Sequence, residues 1–308
     1  MDIKEMLKEI PDLSSRPAVA LETTVLTHGM PYPQNVECAL KCEEEIRKAG
    51  GEPYTIGIIN GKIKIGLTHE EIEYLGKTMN AMKVSRRELP YVIERGLNGS
   101  TTVAATMILA KMAGIKVFST GGIGGVHRGY NETMDVSTDL GEFARTEVNV
   151  ICAGPKAILD VPRTLEYLET QGVEVIGYKT DKVPLFYSSS SKYNLEQHVE
   201  NAAELARILH TAHELGLSQG ALILNPVPQE YSLDADWMEG KIEEAIAMME
   251  KDHITGKKVT PYLLDKLVGI TGGKSLETNM ALIENNAKVG GELIWNISAS
   301  APSSATIR

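Results

Sequence analysis

Cysteine is scarce: Cys38, Cys42 and Cys152 are the only three in a chain of 308 residues. The odd count and the absence of a C-x-x-C pair exclude a disulfide framework and fit reduced thiols in a cytosolic protein. Cys38 and Cys42 share a helix face but have no further Cys or His nearby, so they read as packing residues and not as zinc ligands. Positive charge is also in deficit, with 31 Lys and Arg against 41 Asp and Glu and a formal net charge of −10. An acidic chain without a Lys/Arg stripe repels phosphate polymers, so nucleic acid is not the expected partner. No apolar run approaches the roughly 18 residues of a membrane span. The opening segment "MDIKEMLKEIPDLSSRP" is charged and lacks the apolar stretch of a signal peptide. A cytoplasmic location is therefore expected.

What is present is an ordinary globular composition, 43% apolar and 23% charged. "AVALETTVLT" (18–27) reads as a buried strand and "NVECALKCEEEIRKAG" (35–50) as an amphipathic helix stopped by Gly50. In "YTIGIINGKIKIG" (54–66), Asn60-Gly61 between two β-rich runs predicts a hairpin. Thr68 and Glu71 predict a capping box at the start of the next helix. Helices are expected at 100–114, 163–172, 196–215, 239–252, 260–268 and 275–290, and strands at 147–154, 173–178 and 220–226. The recurrence of helix, Gly stop and Val/Ile-rich strand at Gly50, Gly114 and Gly172 predicts a three-layer α/β/α fold with a mostly parallel central sheet. No linker divides it, so one catalytic domain is expected over 1–298, with a tail at 299–308.

Ligands of such folds sit beyond the carboxyl ends of the strands. The exits here are Glu22, the loop "STGGIGGVHRG" (119–129), Lys156 and "LNPVP" (224–228). The glycine loop is neither nucleotide motif. His127 stands where the third glycine of G-x-G-x-x-G belongs, and Tyr130 where a Walker loop needs Lys. Its bare N–H groups, with Thr120, His127 and Arg128, suit a phosphate-bearing small molecule, or form a tight structural turn. Behind it Asp135 and Asp139, on one face of an expected helix, suit a divalent ion such as Mn²⁺ or Mg²⁺, or act as helix-start charges. Lys156, at the exit of an apolar strand, either extends into solvent or loses its proton readily and attacks a carbonyl. Glu22, within a strand, is either paired structurally or a proton donor. Lys83 adds basic charge beside Arg86 and Arg87, in what reads as a solvated turn.

Together these segments resemble the pseudouridine-5′-phosphate glycosidase family, also called indigoidine synthase A-like. The resemblance rests on "ALETTVLTHGMPYPQN" (20–35), "KVSRRELP" (83–90), "NGSTTVAATM" (98–107), "KVFSTGGIGGVHRG" (116–129), "DVSTDL" (135–140), "CAGPKAILD" (152–160), "NPVP" (225–228) and "ITGGKSLETN" (270–279), in family order. It implies cleavage of the C–C glycosidic bond of pseudouridine 5′-phosphate to uracil and ribose 5-phosphate. It implies Lys156 as the Schiff-base lysine, Glu22 as proton donor and Asp135 as the Mn²⁺-binding acid. Lys83, Val103, Ser137, Thr138, Asp139 and Asn279 become substrate positions, and Thr102 and His127 are taken as phosphate contacts. The resemblance also implies an α/β/α fold and a homotrimer. The chain departs from the family pattern at Pro155, before the lysine, and at His198, near where relatives carry an arginine. Two other readings stay open: a related enzyme cleaving or making another C-nucleoside phosphate, and a sugar-phosphate-binding regulator without turnover.

Overall fold

The computed structural model describes residues 3–78 and 80–300. Its strands are β1 Ala18–Leu21, β2 Glu52–Ile59, β3 Lys62–Ile65, β4 Met82–Val84, β5 Gly99–Thr101, β6 Val117–Ser119, β7 Val126–His127, β8 Asn149–Cys152, β9 Leu159–Asp160, β10 Val175–Tyr178, β11 His198–Val199 and β12 Leu222–Leu224. Its α-helices are α1 Ile3–Lys8, α2 Gln34–Lys48, α3 His69–Lys77, α4 Leu89–Glu94, α5 Val103–Met112, α6 Tyr130–Thr133, α7 Thr138–Phe143, α8 Val161–Thr170, α9 Ala202–Glu214, α10 Ala235–Lys251, α11 Val259–Ile270 and α12 Lys274–Ser300.

A ten-stranded sheet runs in the order β11-β10-β12-β8-β6-β1-β2-β5-β4, with β3 paired to β2. Every pairing from β11 to β2 is parallel. Alternate side chains feed two cores, one on each face. Val19, Ile151 and Ile223 enter the layer with α2, α9 and α12. Ala20, Phe118, Val150 and Leu222 enter the layer with α5 and α8. A strand apolar on both faces is the consequence of helices covering both. Each fully buried Ile or Leu stabilises the fold by roughly 1.5–3 kcal/mol before entropy is counted.

The direction reverses at β2, which pairs antiparallel with β3 and β5, while β4 and β5 run parallel to each other. The hairpin forms where expected, with Asn60 at φ 50° and Gly61 at φ 74°, the left-handed pair a two-residue turn requires. The capping box at Thr68 also forms: its hydroxyl accepts from Glu71 N at 3.2 Å, and Glu71 Oε2 accepts from Thr68 N at 3.0 Å.

Several boundaries differ from expectation. The strand read over 18–27 stops at Leu21, and Val25–Gly29 coils into a π-helical turn. The helix read over 100–114 begins only at Val103, because residues 99–101 pair as β5 and Thr102 caps the helix. The helix expected from 196 starts at Ala202, where Asn201 accepts from Glu204 N; residues 198–199 form an edge strand. The helix α12 continues through Ser300, so the tail expected from 299 overlaps its end, and residues 301–308 lie outside the described residues.

Candidate active site

Strand ends from opposite directions meet at one place. Glu22 follows β1, the glycine loop follows β6 and Lys156 follows β8. The reversed β5 meets them from the other side. Thr101 N donates to Thr23 Oγ1 at 2.9 Å, and Thr24 Oγ1 donates to Thr101 O at 2.7 Å. The cavity between them, about 350 Å³, is lined by Glu22, Lys83, Thr102, Val103, His127, Asp135, Ser137, Thr138, Asp139, Lys156 and Asn279, whereas Arg128, read as a loop donor, pairs with Glu239 instead.

Lys156 Nζ donates to the Gly122 carbonyl at 2.7 Å. Its backbone is fixed by a parallel bridge in which Ile123 N donates to Gly154 O and Lys156 N to Ile123 O. Pro155 sits within that bridge, so its missing N–H removes no needed donor. Gly154 has φ 99°, and a Cβ there would lie 2.4 Å from the Pro184 carbonyl; no other residue fits. Glu22 is buried and accepts a short hydrogen bond from the Thr120 hydroxyl. Burial pushes its pKa above the ordinary carboxylate range, opposed by the positive charge of Lys156 and the Thr120 hydrogen bond.

A second amine faces the first. Burial lowers the pKa of Lys83, and the positive charge of Lys156 lowers it further, against the pull of Asp139 and Glu22. Local pattern shows Lys83 as part of a basic turn, and the family resemblance makes it a substrate position. That turn is not simply solvated, since Arg86 makes a fork to Glu142, Nε and Nη2 each at 2.7 Å, and the Glu142 side chain is fully buried.

The glycine loop keeps part of the expected cradle, since Gly121 and Gly122 line the cavity and no hydrogen bond from their N–H groups occurs among the described residues. Between Thr120 and His127, the N–H groups of Thr120, Ile123, Gly124, Val126 and His127 all donate inside the protein. Asp139 takes Gly124 N and Ala104 N, each at 2.9 Å, so the acid itself fills the anion position at the start of α5. The glycines serve close approach. A Cβ at Gly122 would lie 2.6 Å from the Phe186 ring, and one at Gly124 would lie 2.2 Å from Ser137 Oγ. Asp135 and Asp139 do not share a helix either. Ser137 caps α7, which puts Asp139 in its first turn and leaves Asp135 in the preceding loop. Asp135 Oδ2 stands 4.0 Å from His127 Nδ1, with its side chain 44% exposed. Burial lowers the His127 pKa, and Asp135 opposes this.

No group of three or more His, Cys, Asp or Glu able to hold a metal occurs among the described residues. A single open carboxylate on a substrate cavity still suits a hard divalent ion that keeps its waters and takes substrate oxygens. Among the cavity residues that escaped sequence reading are His28, Lys257 and Phe186. Lys257 reaches in from the segment before α11, with Nζ 2.7 Å from Glu88 and 3.2 Å from the Lys83 carbonyl. Nothing local marks such long-range partners. His198 lies exposed on β11 and is not among the cavity-lining residues.

The profile of indigoidine synthase A like proteins matches residues 10–295. The chain belongs to the indigoidine synthase A-like family. A pseudouridine-5′-phosphate glycosidase of Caldanaerobacter subterraneus subsp. tengcongensis is 53% identical to this family member, over 95% of each chain. One from Geobacillus kaustophilus is 54% identical, over 92% of this chain and 94% of that one. Among solved structures, an indigoidine synthase A-like protein from Thermotoga maritima aligns with a TM-score of 0.86 at 38% identity, covering 92% of this chain and 94% of that one. A prealnumycin C-glycosynthase in complex with ribulose 5-phosphate aligns with a TM-score of 0.85 at 36% identity, covering 96% and 95%.

Proposed function

We propose that this protein cleaves the C–C glycosidic bond of pseudouridine 5′-phosphate, giving uracil and ribose 5-phosphate. The observation that carries the reading is the pairing of Lys156 with Glu22, a buried carboxyl whose pKa burial raises, in one cavity, in a chain about half identical to glycosidases of that name over nearly its whole length. A carbon leaving group is poor, so the two-carboxylate device of ordinary glycosidases does not suffice. Glu22 gives its proton to the ribose ring oxygen as the C1′–O4′ bond breaks, and Lys156 Nζ forms a bond to C1′. The nitrogen gives a proton to the Glu22 carboxylate and then supplies its lone pair to form C=N. The C1′–C5 bond breaks, its electrons leave with the base, and C5 takes the proton from Glu22. Water hydrolyses the imine, restoring the amine and releasing the sugar.

Lys83 and Lys257, with His127 and Thr102, supply the donors for the phosphoryl group. Asp135 would hold a divalent ion, Mn²⁺ or Mg²⁺, which supplies positive charge beside substrate oxygens. A cytosolic homotrimer completes the reading, with sedimentation equilibrium as its check. The second reading is a C-glycosynthase, favoured by the solved neighbour of that activity; the same residues run in the bond-forming direction.

The deciding assay is uracil release from pseudouridine 5′-phosphate, with and without Mn²⁺ and after chelation. Borohydride added during turnover is expected to leave a reduced pentose phosphate adduct on Lys156, found by peptide mapping. An adduct on Lys83 overturns the assignment of the nucleophile, and no uracil release overturns the glycosidase reading.

A further inference from the structure

We propose that His28 recognises the base: its Nε2 accepts a hydrogen bond from a ring N–H of the departing pyrimidine. The inference rests on the glycosidase reading and deepens it.

His28 sits on the π-helical turn Val25–Gly29, anchored by buried Leu26, and lines the same cavity as Glu22 and Lys156. The Ala81 backbone, just before β4, favours a proton on the ring, against burial and the charge of Lys83. The Nε2 atom is buried and has no partner. In the neutral tautomer with its proton on Nδ1, Nε2 carries a lone pair. A buried acceptor left unpaired costs about 1–3 kcal/mol, recovered when a ligand brings a donor. Asn279, on α12, also lines the cavity, and its Oδ1 is a second buried acceptor without a partner. The site therefore asks for two donors that no neighbouring side chain supplies.

The phosphoryl group is not that ligand. Burial and the positive charge of Lys83 favour the neutral ring, and a lone pair repels an anion, whereas Lys83, Lys156 and Lys257 suit one. The walls near His28 favour a flat ring. Val25 lies one turn before it, and α11, which packs against this turn, contributes Leu264 to the lining. Apolar walls with acceptors at the edge fit a heterocycle held by its faces and read at its N–H groups. A pyrimidine joined to ribose through carbon keeps both ring nitrogens as donors, while one joined through N1 has lost one. An acceptor placed here thus tells the two linkages apart.

The test compares kcat/KM for pseudouridine 5′-phosphate and its N1-methyl and N3-methyl derivatives, in the parent and in His28→Ala and His28→Gln. The parent is expected to reject one methylated substrate by about a hundredfold or more, because a site built for an N–H leaves its acceptor unpaired without it. His28→Ala is expected to lower kcat/KM on the unmethylated substrate by about 10- to 100-fold and to bring that discrimination to within a few-fold. His28→Gln, which still offers an amide oxygen, is expected to recover part of the rate, and it carries the comparison if the alanine variant does not fold. Parent tolerance of both methyl groups, or discrimination unchanged in the variants, overturns the proposal. So does an equal loss of ribose 5-phosphate affinity by calorimetry, which would set Nε2 against a sugar hydroxyl. A parent that releases no uracil removes the glycosidase reading and this inference together; release with unaltered discrimination removes the inference alone.

Discussion

Glu22 shows how one buried residue links chemistry to stability. Its carboxyl is pushed up by burial, so the folded chain keeps a proton that the unfolded chain gives up near pH 4.5. The stability it contributes is full below the unfolded pKa and is lost as pH rises through the folded one. Glu22→Gln removes that loss. Its melting temperature is expected to match the parent near pH 4 and to exceed it increasingly toward neutral and alkaline pH, by roughly 2–4 °C for each kcal/mol. Activity moves the other way: uracil release by the Gln variant is expected to fall by about 10²–10⁴. A melting difference that does not grow with pH defeats this account. Glu22 and Lys156 were legible because strand exits can be read from local pattern. His28 and Lys257 were not, because their meaning depends on β4, far away in the chain.

Among the elements, the arm carrying Lys83 is fastened to α7 by one ion pair. Arg86 holds Glu142 by two hydrogen bonds of 2.7 Å, and Thr146 donates to the same carboxylate. Arg86→Ala leaves a buried carboxylate unpaired and is expected to lower stability by about 3–5 kcal/mol, read from the urea midpoint. Arg86→Lys keeps the charge but not the fork and is expected to fall between. A loss below about 1 kcal/mol in the alanine variant would mean that the carboxylate finds water or another partner. At this scale the hairpin and the capping box were readable, because each depends on residues a few positions apart. The reversal of β4 and β5 was not, since short runs such as "GST" carry no record of the strand they join.

For the molecule as a whole, α12 is the strut. It packs on α2 and α9 and crosses β1, β6 and β8. It also carries Asn286, whose Nδ2 donates to the Thr120 carbonyl at 2.8 Å and so steadies the root of the glycine loop. Close passage over α2 depends on Gly291, where a Cβ would lie 2.6 Å from Ala49 Cβ and 2.8 Å from the Ile46 carbonyl. Gly291→Ala is expected to destabilise by about 1–3 kcal/mol, despite the better helix propensity of alanine. Gly240 on α10 has nothing within 4 Å of its Cβ position, so Gly240→Ala is expected to stabilise by roughly 0.5–1 kcal/mol. Equal melting shifts in the two variants would refute the packing argument. The layers were readable from strand composition, whereas the path of this strut was not, because it follows contacts between opposite ends of the chain.

The two-way pairing of β2 has a consequence for what this scaffold can accommodate. Residues 52–55 align with β1, and 57–58 align with β5. The strand is thus a ruler laid between the acid on one side and the second amine on the other. Inserting one residue between those stretches would turn every following side chain to the wrong face, so only pairs are tolerated. Each pair lengthens the ruler by about 7 Å. The spacing between the acid and the second amine is therefore set in steps by strand register.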